Sequence, residues 1–259
     1  MDNNSEISLR NAKKFIADSI KKEVLERKIP EGETRFYNAN KQLIGKADST
    51  YSVTIPEGTA KIVANGNLSL GGYIGGYNRE PITIISSGGV TGATLALGST
   101  LIAGGDVKLF DNAGEVLSGG RVDIERNSAG RIVSTSGIKI GGNSESETIT
   151  GGDIDVGGYM MNAACKGSIR AAAIGQRDPC TNKGSYLNKG MLIKAEGDIN
   201  VPDICGGMVI SHGKVTTENN DGTVLADKGC IIIEPDGKIG TLRLINTPNK
   251  GKSPEGNER

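Results

Sequence analysis

The sequence predicts an all-β fold: a right-handed β-helix, a solenoid of small triangular coils of about 15–17 residues, led by an N-terminal amphipathic α-helix. Three observations predict it. "GGDVKLFDNAGEVLS" (104–118) is followed at once by "GGRVDIERNSAGRIVS" (119–134), nearly the same phrase. Glycine supplies 39 of 259 residues, about twice the ordinary ~7%. Aromatics are scarce, with three Phe, six Tyr and no Trp, so the core rests on Val, Ile, Leu and Ala. That composition suits a narrow interior filled by stacked small side chains.

In chain order, residues 5–29 read as the helix. Leu9, Ala12, Ile16, Ile20 and Val24 line one face, and Pro30 stops it. Its expected role is to cover the open first coil or to dock a partner, so these five are the candidate capping and self-assembly residues; residues 1–30 form this unit. Residues 31–57 alternate like strands around an Asn-Ala-Asn corner and read as the entry to the solenoid.

The solenoid spans 58–245. A glycine followed by alternating apolar residues recurs at Gly105, Gly120, Gly137, Gly152, Gly167, Gly197, Gly213 and Gly229, in steps of 15, 17, 15, 15, 30, 16 and 16. The step of 30 reads as two periods with an irregular stretch, 175–190, inside it. Self-similarity at a short fixed period marks a solenoid. The links "FDNAGEVL", "ERNSAGRIV" and "ENNDGTVL" carry Asn, Asp and Gly, which tolerate positive φ, so they read as tight corners. Hexapeptide left-handed helices close a coil in about 18 residues, which these steps do not fit. About a dozen coils at ~4.8 Å each give a rod about 50–60 Å long. The rival arrangement is a row of β-hairpins, since "NAG" and "DG" also make hairpin turns. The tail, 246–259, is polar and rich in Pro and Gly and is expected to be disordered.

Charge balances at 30 basic and 30 acidic residues, which gives no footprint for nucleic acid. No apolar run approaches a membrane span, and the N-terminus has no signal-peptide core, so the expected location is cytoplasmic. Membrane contact through the basic helix is a disfavoured alternative.

Candidate chemistry is thin. Cys165, Cys180, Cys205 and Cys230 read as small inward ladder residues, with a disulfide or a metal as the alternatives. His212 sits at a corner with no recognisable catalytic partner. Asp153 and Asp155 in "GGDIDV" alternate with Ile154 and Val156, and two carboxylates on one face are what glycoside hydrolysis requires. Sugar grooves usually carry aromatic platforms, however, and outward Asp and Lys also keep a solenoid wall soluble. The glycine-rich "LGGYIGGYN" (70–78) lacks the strand-then-helix context of a phosphate loop. No catalytic, cofactor or metal residues are assigned.

The phrases "GGDVKL", "GGRVDI", "GGDIDV" and "EGDINV" resemble the repeats of bactofilins and related cytosolic polymer-forming proteins, across roughly residues 58–240. The resemblance implies a triangular β-helix that stacks end to end and places other proteins. The expected function is therefore a non-enzymatic scaffold whose partner is itself, as homo-oligomer or filament, or another protein. The alternatives are a surface-recognition β-helix (a phage-tail fibre, adhesin or effector) and, after that, a polysaccharide-active enzyme.

Overall fold

The computed structural model of the chain describes residues 3–49, 52–75, 80–176, 191–233 and 239–240. The body is a β-solenoid of about ten turns, with three ladders of parallel strands forming three walls. The first wall runs from Lys61–Ala64 through Thr83–Ser86, Thr100–Ala103 and Glu115–Ser118 to Thr223–Ala226. The second runs from Ser52–Val53 to Cys230–Ile233, and the third from Tyr73–Ile74 to Asn219–Asn220. Each residue pairs with its counterpart one coil away: Val107 with Val122, Val122 with Ile138, Ile138 with Ile154. Parallel pairing throughout the body rules out the row of hairpins.

The short alternation in each strand decides what is buried. Val90, Val107, Val122, Ile138, Ile154, Ile169, Ile199 and Val215 point inward from the second wall and stack into one core with Ile62, Ile84, Leu101, Val116 and Ile132 of the first. β-branched residues dominate because each coil offers a narrow slot with aliphatic neighbours above and below.

Three sequence expectations need correction. First, the step of 30 is one coil, not two. Ile169 pairs directly with Ile199, and Cys165 with Ala195. One coil here takes about twice the residues of its neighbours, so the extra stretch is an insertion rather than a rung. Nine steps of ~4.8 Å along the first wall give a length of about 43 Å, shorter than expected. Second, the eight repeat glycines do not form one column. Six stand two residues before an inward apolar residue, whereas Gly137 and Gly229 stand directly before Ile138 and Cys230. Counted by inward residues, the step of 17 disappears. Third, the corners do not rest on positive φ: the link glycines Gly114, Gly130 and Gly222 have none, and of the eight repeat glycines only Gly229 does, at 99°. These glycines answer close stacking. A Cβ on Gly152 would lie 1.4 Å from the carbonyl oxygen of Ser136, one coil earlier.

Before the first coil, strands β1 (Glu33–Tyr37) and β2 (Leu43–Asp48) form an antiparallel hairpin. Strand β1 lies antiparallel on the first rung, with Thr34 opposite Ala64 and Phe36 opposite Ile62. Phe36 is buried and closes the top of the core. The hairpin therefore covers the first coil, the task expected of the helix.

Helix α1 (Asn3–Ile20) continues into a π turn, Lys21–Leu25. It stops before Pro30: Lys28 takes a left-handed φ of 50°, and the Ile29 N–H donates to the Val24 carbonyl at 3.1 Å. The helix lies along the outside of the first wall. Leu9, Ala12, Ile16 and Val24 are buried, and Ile20 partly so, against the outward residues Val63, Ile85, Ile102, Leu117, Val133 and Ile149. The fit is metric. From Leu9 to Val24 the helix rises about 22 Å, and the five rung steps from Val63 to Ile149 span about 24 Å. Beyond Ile149 the same column continues as Ala164 and then Lys194, where the apolar stripe ends.

Candidate functional site

A recurring set of polar side chains at the corners of the body holds one coil to the next. The Oδ1 atoms of Asp106, Asp153 and Asp198 accept the backbone N–H of Arg121, Ser168 and Lys214, each one coil on, at 2.7, 2.7 and 2.8 Å. A second corner repeats the device: the carboxylate of Asp111 accepts from the Asn127 N–H, and the amide oxygens of Asn127 and Asn143 accept from Asn143 and Tyr159. Such side chains satisfy backbone donors at corners, where ladder bonds cannot.

Asp153 and Asp155, the candidate carboxylate pair, are therefore differently employed. Asp153 is a corner brace. Asp155 stands on the second wall in an outward column, Lys108–Asp123–Lys139–Asp155–Arg170, whose members are register neighbours of alternating sign. Rung spacing of ~4.8 Å puts each charge beside its opposite. Because Gly137 takes a position held by a side chain in neighbouring coils, a shallow cleft of about 560 Å³ opens there, lined by Arg121, Gly137, Asp153, Asp155 and Arg170. It is polar and open to solvent, and its charges are mixed.

A third column lies inside one corner: Ala64, Ser86, Ala103, Ser118, Ser134, Thr150, Cys165, Ala195, Ser211 and Ala226. Its hydroxyls cap the glycine corner. Ser118 Oγ donates to Gly105 O at 2.8 Å and accepts from the Gly120 N–H, and Ser211 bonds Gly197 and Gly213 in the same way. Cys165 fills a serine's place, its Sγ 3.2 Å from Gly167 O. Burial, reinforced by the nearby Asp153 charge, pushes its thiol up to about 12, so it stays protonated at neutral pH. Cys165 and Cys205 are both buried, and neither is in a disulfide. Cys180 and the side chain of Cys230 lie outside the described residues, as do the tail 246–259 and most of the irregular stretch.

Sequence reasoning missed two contacts. His212 Nδ1 lies 2.6 Å from Asp227 Oδ2, both exposed. The signal was available, since their separation of fifteen residues equals one period. The second is legible only in half: Glu23, buried at the foot of the helix, pairs with Arg27 Nε at 2.9 Å, an i,i+4 pair that helical spacing offers, and with Lys61 Nζ at 2.7 Å, which nothing in the sequence signals. Burial alone would raise the Glu23 pKa, but the hydrogen bond and charge of Lys61, aided by Arg27, outweigh it and hold the carboxyl below its ordinary value.

Compared with known proteins, the chain matches no family model, no curated protein and no solved structure. Among the described residues no group of three or more His, Cys, Asp or Glu is placed to hold a metal ion. Among them, too, no helix is long and apolar enough to cross a membrane.

Proposed function

We propose that this chain is a non-enzymatic structural protein, a β-solenoid scaffold that joins copies of itself end to end or presents its walls to other proteins. The observation that carries the reading is the use of polar side chains along the body. Asp106, Asp153, Asp198, Asn127 and Asn143 brace the coils, and the outward charges of the second wall neutralise one another rung by rung. This builds a stiff rod with a regular surface. The likeness of its repeats to those of bactofilins points the same way. At the N-terminal end, joining would run through β2, whose Leu43 and Ile44 are exposed and whose outer edge has no strand partner among the described residues.

Negative-stain electron microscopy combined with light scattering on the full chain tests the reading. Rods in multiples of one solenoid length, growing with concentration, support it. A monomer over a hundredfold range of concentration removes self-assembly and leaves only the display of partners.

A further inference from the structure

The walls are electrically quiet, and the helix is not. On the second wall each outward charge has its opposite one rung away, and on the first wall Arg131 donates to Glu115 at 2.8 Å and Glu147 at 2.7 Å. The outward side of α1 and its π turn carries Arg10, Lys13, Lys14, Lys21 and Lys22, all exposed; among the described side chains the exposed acids are Asp18 and, just past the turn, Glu26. Of the cations from Arg10 to Lys28, only Arg27 is ion-paired among the described residues, with Glu23. Two large apolar side chains share this side: Phe15, 52% exposed, and Leu25, 60% exposed.

Packing explains why this surface faces outward. The helix's apolar stripe is occupied by the solenoid wall, so the amphipathic face that would ordinarily enter a bilayer is buried. What remains is a convex ridge, about 22 Å from Arg10 to Leu25, with lysines along it and an apolar side chain on either side of its crest.

We propose that this ridge docks the solenoid lengthwise on an anionic lipid surface, with the lysines against the headgroups and Phe15 and Leu25 entering the interface. Charge complementarity supports the occupant: five cations along a ridge without neutralising partners match a surface of diffuse negative charge. Shape supports a planar surface over an acidic protein, which would have to offer a groove to so convex a ridge. The inference goes beyond the scaffold reading and does not depend on it.

The test is co-sedimentation of the full chain with vesicles of phosphatidylglycerol mixed into phosphatidylcholine, compared with phosphatidylcholine alone. Binding is expected only with the anionic lipid, falling as salt rises. The triple variant Lys14→Gln, Lys21→Gln, Lys22→Gln is expected to lose roughly a hundredfold in affinity, and the double variant Phe15→Ser, Leu25→Ser to bind more weakly while keeping its preference for anionic lipid. These side chains are exposed, and an unchanged circular dichroism melt confirms that the variants fold. No binding to anionic vesicles, or binding that the triple variant leaves intact, overturns the proposal. So does capture of an acidic polypeptide such as polyglutamate in preference to the vesicles.

Discussion

Replacing Ile16 by alanine is expected to loosen the helix while leaving the coils beneath it in place. Ile16 is 5% exposed and sits at the middle of the stripe that packs on Val63, Ile85, Ile102, Leu117, Val133 and Ile149. Truncating a buried isoleucine to alanine costs ~2–5 kcal/mol. At a helix–wall interface that can close over the gap, the low end, about 2 kcal/mol, applies. If the helix opens as a local unit, that loss speeds amide hydrogen exchange across residues 9–24 roughly thirtyfold. Amides of the rungs at Ile132–Ser134 and Leu192–Ala195 should keep their protection. Hydrogen exchange with mass spectrometry reads both regions in one experiment, and Phe15→Ser serves as the exposed neighbour, expected within about 0.5 kcal/mol of the parent. Unchanged exchange in the helix would show that the wall does not hold it. Equal loss in helix and rungs would show that the helix is no separate unit.

Three further outcomes are expected. Gly152→Ala should lower the melting temperature far more than Gly137→Ala, because the new methyl meets Ser136 O at 1.4 Å in the first case and nothing nearer than Asp153 O at 3.4 Å in the second; similar melts would refute the stacking account. Cys165 should resist alkylation at pH 8 in the native chain and react once it is unfolded, by site-resolved mass spectrometry, since burial pushes its thiol up to about 12. Glu23→Gln should destabilise helix docking at pH 7 and matter progressively less in acid. Because the folded pKa of Glu23 lies below the ordinary 4.5, its contribution is present above that value and is lost as pH falls through the folded one; a cost that stays constant down to pH 3 would contradict this.

The sequence by itself determined the solenoid. Alternation in "DVKL", "RVDI" and "DIDV" assigns Val107, Val122 and Ile154 to the interior because side chains switch sides at each residue, and a fifteen- to sixteen-residue period puts like on like in the next coil. The buried stripe of the helix was legible for the same reason, since helical periodicity is a local property of the chain. Three things needed the tertiary structure. Periodicity shows that Leu9, Ala12, Ile16 and Val24 must be covered, but not by what; the matching lengths of helix and ladder place them on the first wall rather than over the first coil, which Phe36 closes. Counting glycines treated an insertion as a rung, because only the direct pairing of Ile169 with Ile199 reveals how many residues one coil contains. The candidate carboxylates looked equivalent in "GGDIDV", two residues apart, yet the backbone turns between a corner and a wall at that point. Asp153 meets the N–H of Ser168, whereas Asp155 faces solvent between Lys139 and Arg170. Which polar side chain braces a coil and which is left for a partner depends on the neighbouring coil fifteen residues away, and packing alone brings that coil into place.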